Sequence, residues 1–124
     1  MTQWGNTHLY IAGAWAAQGT IASLALDLAR ELDFVVVSTW HLQALKCDEV
    51  ASQSERFKLA DRDLGQLDLA DVVLFVNFAE HYHNDRTCGR HVELGYAIAG
   101  RRRTGRPTIL HYGDTRSVFH AYAN

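Results

Sequence analysis

The sequence predicts an α/β protein in which helices cover both faces of a parallel β-sheet. Short segments that are apolar throughout alternate along the chain with segments whose apolar residues recur every three or four positions. Strands that are buried on both faces appear as continuous apolar runs, and helices that pack on a sheet have the three-to-four spacing. Regular alternation of the two kinds of segment is typical of a mostly parallel sheet.

Four apolar runs predict the strands, at residues 8–12, 34–38, 72–77 and 108–112. The segments between them predict helices over 20–32, about 57–67 and about 89–103, with Thr20 as the N-cap of the first. The intervening residues 13–19 and 41–53 are expected to be loops, and 115–122 a short terminal helix.

Length and composition limit the classes of function. The chain has 124 residues, a formal net charge of −2 and two cysteines, Cys47 and Cys88. It therefore predicts one domain over residues 1–124, with no disulfide framework and no attraction to nucleic acid. No apolar run could span a membrane and the start of the chain has no signal-peptide pattern, so a cytoplasmic protein is expected.

Ligands of parallel α/β sheets bind beyond the carboxyl ends of the strands, at the point where the strand order reverses. Residues 13–19, 38–41 and 78–88 are expected to meet there, together with the start of the helix that carries Glu93. Glu93 is predicted in the first turn, where free amides and the helix dipole favour a charged carboxylate. It is either a nucleophile or cation-stabilising charge, or only a complement to the dipole.

Other candidate residues lie near the same edge. Trp15 and Trp40 follow the first two strands, where they could stack on a heterocyclic base or simply pack at the rim. Asp63 could reach the cleft from the second helix. Asp85 could cap the following helix or donate a proton.

Three further sequence patterns bear on metal and phosphate binding. A loose zinc pattern is formed by His81, His83, Cys88 and His91, but the helix dipole opposes a cation there, so no metal site is predicted. No Walker loop or G-x-G-x-x-G motif occurs, which disfavours a dinucleotide oxidoreductase. The arginines at 101–103 and 106 are expected to form a solvated face or a subunit contact.

Three segments of the chain resemble the nucleoside 2-deoxyribosyltransferase family and its relatives that hydrolyse deoxynucleotides. They are LYIAGAW, RDLGQLDLADVVLFV and GRHVELGYAIAGRRRTGRPTILHYG, and they cover most of the chain in the family's order. The E-L-G-Y-A element around Glu93 is the most specific. The resemblance implies a flavodoxin-like three-layer sandwich with four to five strands and a site that needs no cofactor.

The resemblance also implies the chemistry. Glu93 would attack the anomeric carbon of a (deoxy)nucleoside, the base would leave, and another base would resolve the covalent intermediate. Tyr10 would hydrogen-bond near the nucleophile, and Asp63 would bind or protonate the base. The substrate would also contact a set that comprises Gly13, Trp15, Trp40, Asp85, Gly89 and Ser117.

Departures from the family pattern leave alternatives open. The loop GAWAAQG lacks the arginine that a phosphate-binding loop carries, although Arg86, Arg90 or Ser117 could meet a phosphate. Hydrolysis of nucleoside 5′-monophosphates and ligand sensing without turnover are therefore the alternatives to base transfer. Residues 114–120 match a region that completes a neighbouring subunit's site, which implies a homodimer or larger homo-oligomer.

Overall fold

The protein has the predicted α/β architecture, that of a flavodoxin-like or Rossmann-like sandwich. A computed structural model describes residues 4–43, 52–78 and 89–113. The strands are β1 (His8–Gly13), β2 (Val35–Val36), β3 (Val72–Asn77) and β4 (Thr108–Gly113). The helices are α1 (Gln18–Leu32), α2 (Gln53–Leu69) and α3 (Gly89–Thr104), with 3-10 turns at Trp15–Ala17 and Trp40–Leu42.

All four strands are parallel and lie in the order β2-β1-β3-β4, so the order reverses between β1 and β3. Right-handed crossovers then place α1 on one face of the sheet and α2 and α3 on the other. The contacts agree, since α1 packs on β1 and β2 whereas α2 and α3 pack on each other and on β1. The crevice above the β1–β3 pair is thus the point where ligands of such sheets bind.

The sheet supplies the centre of the core. Tyr10, Ile11, Val73, Phe75 and Ile109 have no exposed surface. The first four belong to the apolar runs of β1 and β3, which confirms that these two runs are buried from both faces, whereas β4 is exposed at both of its ends.

The second strand is shorter than predicted, because side chains, and not backbone groups, bond to the last part of β1. β2 covers only Val35–Val36 of the predicted residues 34–38. Beyond it, the Ile11 N–H donates to Ser38 Oγ at 3.1 Å and the Ile11 carbonyl accepts the Trp40 indole N–H at 2.7 Å. The edge of β1 is therefore satisfied without further strand pairing.

Two helix starts also differ from prediction. The prediction of Thr20 as an N-cap is wrong, because α1 begins at Gln18, directly after the 3-10 turn, with Ala17 at the cap and no side-chain cap bond. α2 begins earlier than its apolar spacing indicated, at Gln53, because Ser52 Oγ accepts the Glu55 N–H at 3.1 Å. The predicted terminal helix over 115–122 lies outside the described residues.

Gly13 allows α1 to approach the end of β1 closely. A Cβ at this position would collide with Ile21 Cδ1 of α1 and lie 3.2 Å from the Val76 carbonyl oxygen of β3. Ile21 is itself fully buried, so it has little room to move. The glycine is thus required for packing between α1 and the β1–β3 pair.

We expect Gly13→Ala to lower the free energy of unfolding by about 1–3 kcal/mol through overpacking. Gly65→Ala is the matched control, because Gly65 is exposed on α2 and nothing lies within 4 Å of an added Cβ. That substitution should stabilise the protein by about 0.5–1 kcal/mol through helix propensity. Urea denaturation of both variants measures the difference; equal effects would contradict the packing role of Gly13.

Candidate active site

Three side chains from three elements meet next to the reversal of strand order. Tyr10 comes from β1, Asp63 from α2 and Glu93 from α3, and each affects the ionisation of another member of the group. Tyr10 lies on the side of β1 that faces α2 and α3. We call Tyr10, Asp63 and Glu93 the carboxyl cluster. The structure therefore brings together the three residues that the sequence predicted as catalytic.

The cluster lies a few residues before the carboxyl ends of the strands, and part of it is inaccessible to solvent. Ile11, Ala12 and Gly13 follow Tyr10 in β1. Glu93 retains some exposed surface as a residue, but its Oε2 atom and the Tyr10 hydroxyl are inaccessible. The two groups influence each other's pKa, and neither atom has a hydrogen-bond partner among the described residues.

The prediction that Glu93 is ionised at the start of its helix is wrong. Glu93 is the fifth residue of α3, beyond the first turn, which holds no acidic residue. Burial, followed by the charge of Asp63, raises its pKa from 4.5 to about 8, while the nearby Tyr10 hydroxyl and the charge of Arg62 act in the opposite direction. Glu93 is thus mostly protonated at neutral pH, because desolvation outweighs the dipole at this depth.

Two opposing effects, burial and the neighbouring Arg62, act on the pKa of Asp63. Burial raises the pKa of Asp63, and hydrogen bonding to Arg62 lowers it. Arg62 donates from Nε and Nη2 to Asp63 Oδ1, at 3.1 and 2.8 Å. Arg62 therefore opposes, at Asp63, the effect of burial.

Tyr10 is held neutral. Its burial and the nearby Glu93 and Asp63 carboxyls raise the pKa of the phenol far above its ordinary value of 10.0. A neutral phenol in this position can donate a hydrogen bond to a carboxylate but cannot add a second negative charge.

Sequence reasoning missed the residues that support Asp63. Arg62 Nη2 also donates to Gln43 Oε1 at 2.7 Å, and the Gln43 carbonyl accepts the Gln18 side-chain amide at 2.6 Å. These bonds link α2 to the start of α1. No periodicity signals them, since Gln43 follows the second 3-10 turn and joins α2 only through the tertiary fold.

Trp40 is part of the core and not an exposed stacking surface. It is 7% exposed, and its ring meets His41 edge-on. His41 and Ser38 are buried with it, 3.1 Å apart between Nε2 and Oγ. Burial lowers the pKa of His41, so the imidazole is neutral in the folded protein.

The other predicted contact residues are placed as follows. Trp15 is partly buried against the core at the 3-10 turn after β1, and Gly13 ends β1. Gly89 is the first residue of α3. Asp85 and Ser117 lie outside the described residues.

Arg90, one of the side chains that could meet a phosphate, is buried. Its side chain is 1% exposed, and its Nε donates to Asn77 Oδ1 at 3.0 Å. Asn77 is the last residue of β3 and is equally buried. The pair therefore ties the start of α3 to the end of β3.

Two other predictions concern metal and the basic segment. Of the residues in the loose zinc pattern, His81, His83 and Cys88 lie outside the described residues; in the ranges that are described, no cluster of three metal-binding side chains occurs.

In the basic segment, Arg106 donates to the carbonyls of Asp68 and Ala70 at 2.9 and 3.2 Å. Within those ranges, no helix is long and apolar enough to cross a bilayer.

Comparison with known proteins adds no relative. The sequence matches no family model, and neither the curated proteins nor the solved structures contain a match. The functional inference for this chain therefore depends on its own residues and their geometry.

The carboxyl cluster can support acid–base and nucleophilic chemistry. Two carboxyl groups in one buried site ionise unequally, so one can hold a proton while the other holds a charge. The neutral phenol of Tyr10, a neighbour of Glu93, can stabilise the Glu93 carboxyl when it becomes ionised. This combination suits a reaction that needs an oxygen nucleophile and a proton donor together.

The free energy of unfolding should fall as pH rises through the range in which Glu93 is protonated only in the folded protein. Folding raises the pKa of Glu93 from 4.5 to about 8, so this stabilisation is complete below 4.5 and is lost as the pH approaches about 8. His41, whose pKa is lowered from 6.5, destabilises the fold only as the pH falls below that value. We expect a decline of up to ~1.4 kcal/mol per pH unit between about 6.5 and 8.

Urea denaturation across this interval measures the decline. Glu93→Gln should abolish it, because the amide does not titrate, whereas Glu55→Gln, an exposed change on α2, should retain it. A wild-type stability that stays constant over the interval would contradict the buried, protonated Glu93.

Proposed function

We propose that the protein cleaves the N-glycosidic bond of (deoxy)nucleosides through a covalent glycosyl–Glu93 intermediate, and transfers the sugar to another nucleobase. The observation that carries this proposal is the convergence of Glu93, Asp63 and Tyr10 beside the reversal of strand order. Cleavage of a glycosidic bond with retained configuration needs two carboxyl groups with separate tasks. The carboxyl cluster supplies both, and the family resemblance supplies the nature of the leaving group.

Each member of the cluster has one task in the proposed reaction. The Glu93 carboxylate attacks C1′ of the sugar, so that a C1′–O bond forms as the C1′–N bond breaks. Asp63 accepts the proton that Glu93 gives up and donates it to the departing base. The neutral Tyr10 hydroxyl donates a hydrogen bond to the carboxyl of Glu93 and adds no negative charge to the site.

The second half of the reaction reverses these roles. An incoming base attacks C1′ and gives its N–H proton to Asp63, while Glu93 leaves as a carboxylate. Water could follow the same route, which would make the protein a hydrolase. The two outcomes differ only in which acceptor reaches the intermediate, so an acceptor-dependent assay separates them.

A nucleoside without a 5′-phosphate is the favoured substrate. Arg90, one of the side chains that could have met a phosphate, is buried against Asn77. Arg62, the cation beside the cluster, is bound to Asp63 and Gln43. Among the described residues, these two cations thus have internal partners, which favours a neutral sugar over a charged nucleotide; Arg86 and Ser117 lie outside that part of the chain.

We expect the protein to release base from deoxynucleosides, and to form the adenine nucleoside when free adenine is added. Glu93→Gln should reduce the rate to that of the protein-free blank, because an amide is a poor nucleophile. Chromatography of a panel of deoxynucleosides and their 5′-monophosphates, with and without adenine, measures both effects. Turnover that persists in the Glu93→Gln variant would contradict the proposal, as would a ligand that binds and is never cleaved.

Asp63→Asn should lower the rate of base release by about 10²–10⁴-fold, the usual range for loss of a general acid. Asp61→Asn is the matched control, because Asp61 is an exposed carboxylate on the same helix. The loss should be smaller for substrates whose bases leave readily without a proton. A loss that is equal in the two variants would remove Asp63 from the reaction.

A further inference from the structure

Arg62 occupies an unusual place for a residue next to Asp63 on a helix. Neighbouring residues on a helix point in different directions and do not normally pair. Here the guanidinium turns back so that Nε and Nη2 both donate to Asp63 Oδ1, at 3.1 and 2.8 Å. Both bonds use the same oxygen, and no described residue donates a hydrogen bond to Oδ2.

Gln43 holds Arg62 in that arrangement. Its Oε1 accepts from Arg62 Nη2 at 2.7 Å, and its own carbonyl is bound by Gln18 at 2.6 Å. The Arg62 side chain is 31% exposed and that of Asp63 is 15% exposed. The pair is therefore shielded enough for the charge of Arg62 to act on its neighbours with limited screening by water.

Arg62 is the positive charge that acts on the whole carboxyl cluster. The groups that face Glu93 are Tyr10 from β1, and Asp63 and Arg62 from α2. Arg62 lowers the pKa of Tyr10, Asp63 and Glu93 alike. One cation thus opposes two carboxyls and a phenol that burial drives toward their neutral forms.

We propose that Arg62, held by Gln43, is a positioning residue that fixes Asp63 Oδ1, leaves Oδ2 for substrate, and keeps its positive charge beside both carboxyls of the cluster. The proposal rests on the proposed function where it concerns the reaction. Its geometry and its charge balance belong to the free protein and can be tested there.

Within the proposed reaction, this arrangement leaves Asp63 Oδ2 to meet the departing base. The proton that Glu93 gives up on becoming the nucleophile passes to Asp63, which donates it to the base as the C1′–O bond to Glu93 forms. The acceptor returns a proton to Asp63 in the second half, so no external proton is consumed.

The titrations of Asp63 and Glu93 in carboxyl-¹³C-labelled protein test the inference directly by NMR. Arg62→Gln should move both midpoints to higher pH, and that of Asp63 farther, because it loses the cation that it contacts. Arg62→Lys should keep them near the wild-type values, since it retains the charge but lacks the planar fork. Arg56→Gln, an exposed change on the same helix, should leave them unchanged.

Activity measurements separate the effect of the Arg62 charge from the effect of its geometry. Circular dichroism checks that each variant is folded. If base release occurs, Arg62→Gln should shift its pH profile to higher pH, whereas Arg62→Lys should keep the profile and lower kcat. Unchanged midpoints in folded Arg62→Gln protein would overturn the inference, as would an activity loss without any shift of the profile. Failure of the proposed function would be distinguishable, because base release would then be absent from the wild type while the midpoints still moved.

Discussion

The burial of the Glu93 carboxyl is the constraint on which the site depends. A carboxylate removed from water is costly unless a partner compensates its charge, so the group holds its proton up to a pH of about 8. Burial raises the pKa of Asp63 too, and Arg62, which is bound to it, opposes that rise. The same burial keeps Tyr10 neutral. The properties of all three residues follow from one fact, that three acidic groups lie in a partly dry site beside the Arg62 guanidinium.

The fold provides this site through the reversal of strand order. β1 carries Tyr10 toward the face covered by α2 and α3, while α1 packs on the opposite face and is brought close by Gly13. Along the edge of β1 that pairs with β2, the side chains of Ser38 and Trp40 bind the N–H and the carbonyl of Ile11. Because Ile11 follows Tyr10 directly, the strand that carries the phenol is fixed from both sides. Such rigid support suits a site whose carboxyls have to keep their relative positions.

The sequence predicted the architecture better than the chemistry. Continuous apolar runs predicted β1, β3 and β4 almost to the residue, and in β1 and β3 this pattern reflects burial on both faces. The length of β2 was overestimated, since the side-chain bonds to Ile11 that replace its backbone have no sequence signature. Glu93 and Asp63 were predicted from their positions and Tyr10 through a resemblance, but the charge of Glu93 was predicted wrongly, because helix position indicates a dipole and says nothing about desolvation. Arg62 and Gln43 were missed, since they meet only through tertiary structure.

The central claim is that Glu93 forms a bond to the sugar. Mass spectrometry of the protein, acid-quenched during turnover of a deoxynucleoside and digested with protease, tests it most directly. The account predicts that the peptide containing Glu93 gains the mass of one deoxyribosyl group, and that the Glu93→Gln protein shows no such gain. Base release with an unmodified Glu93 peptide, or a sugar attached to another residue, would contradict it.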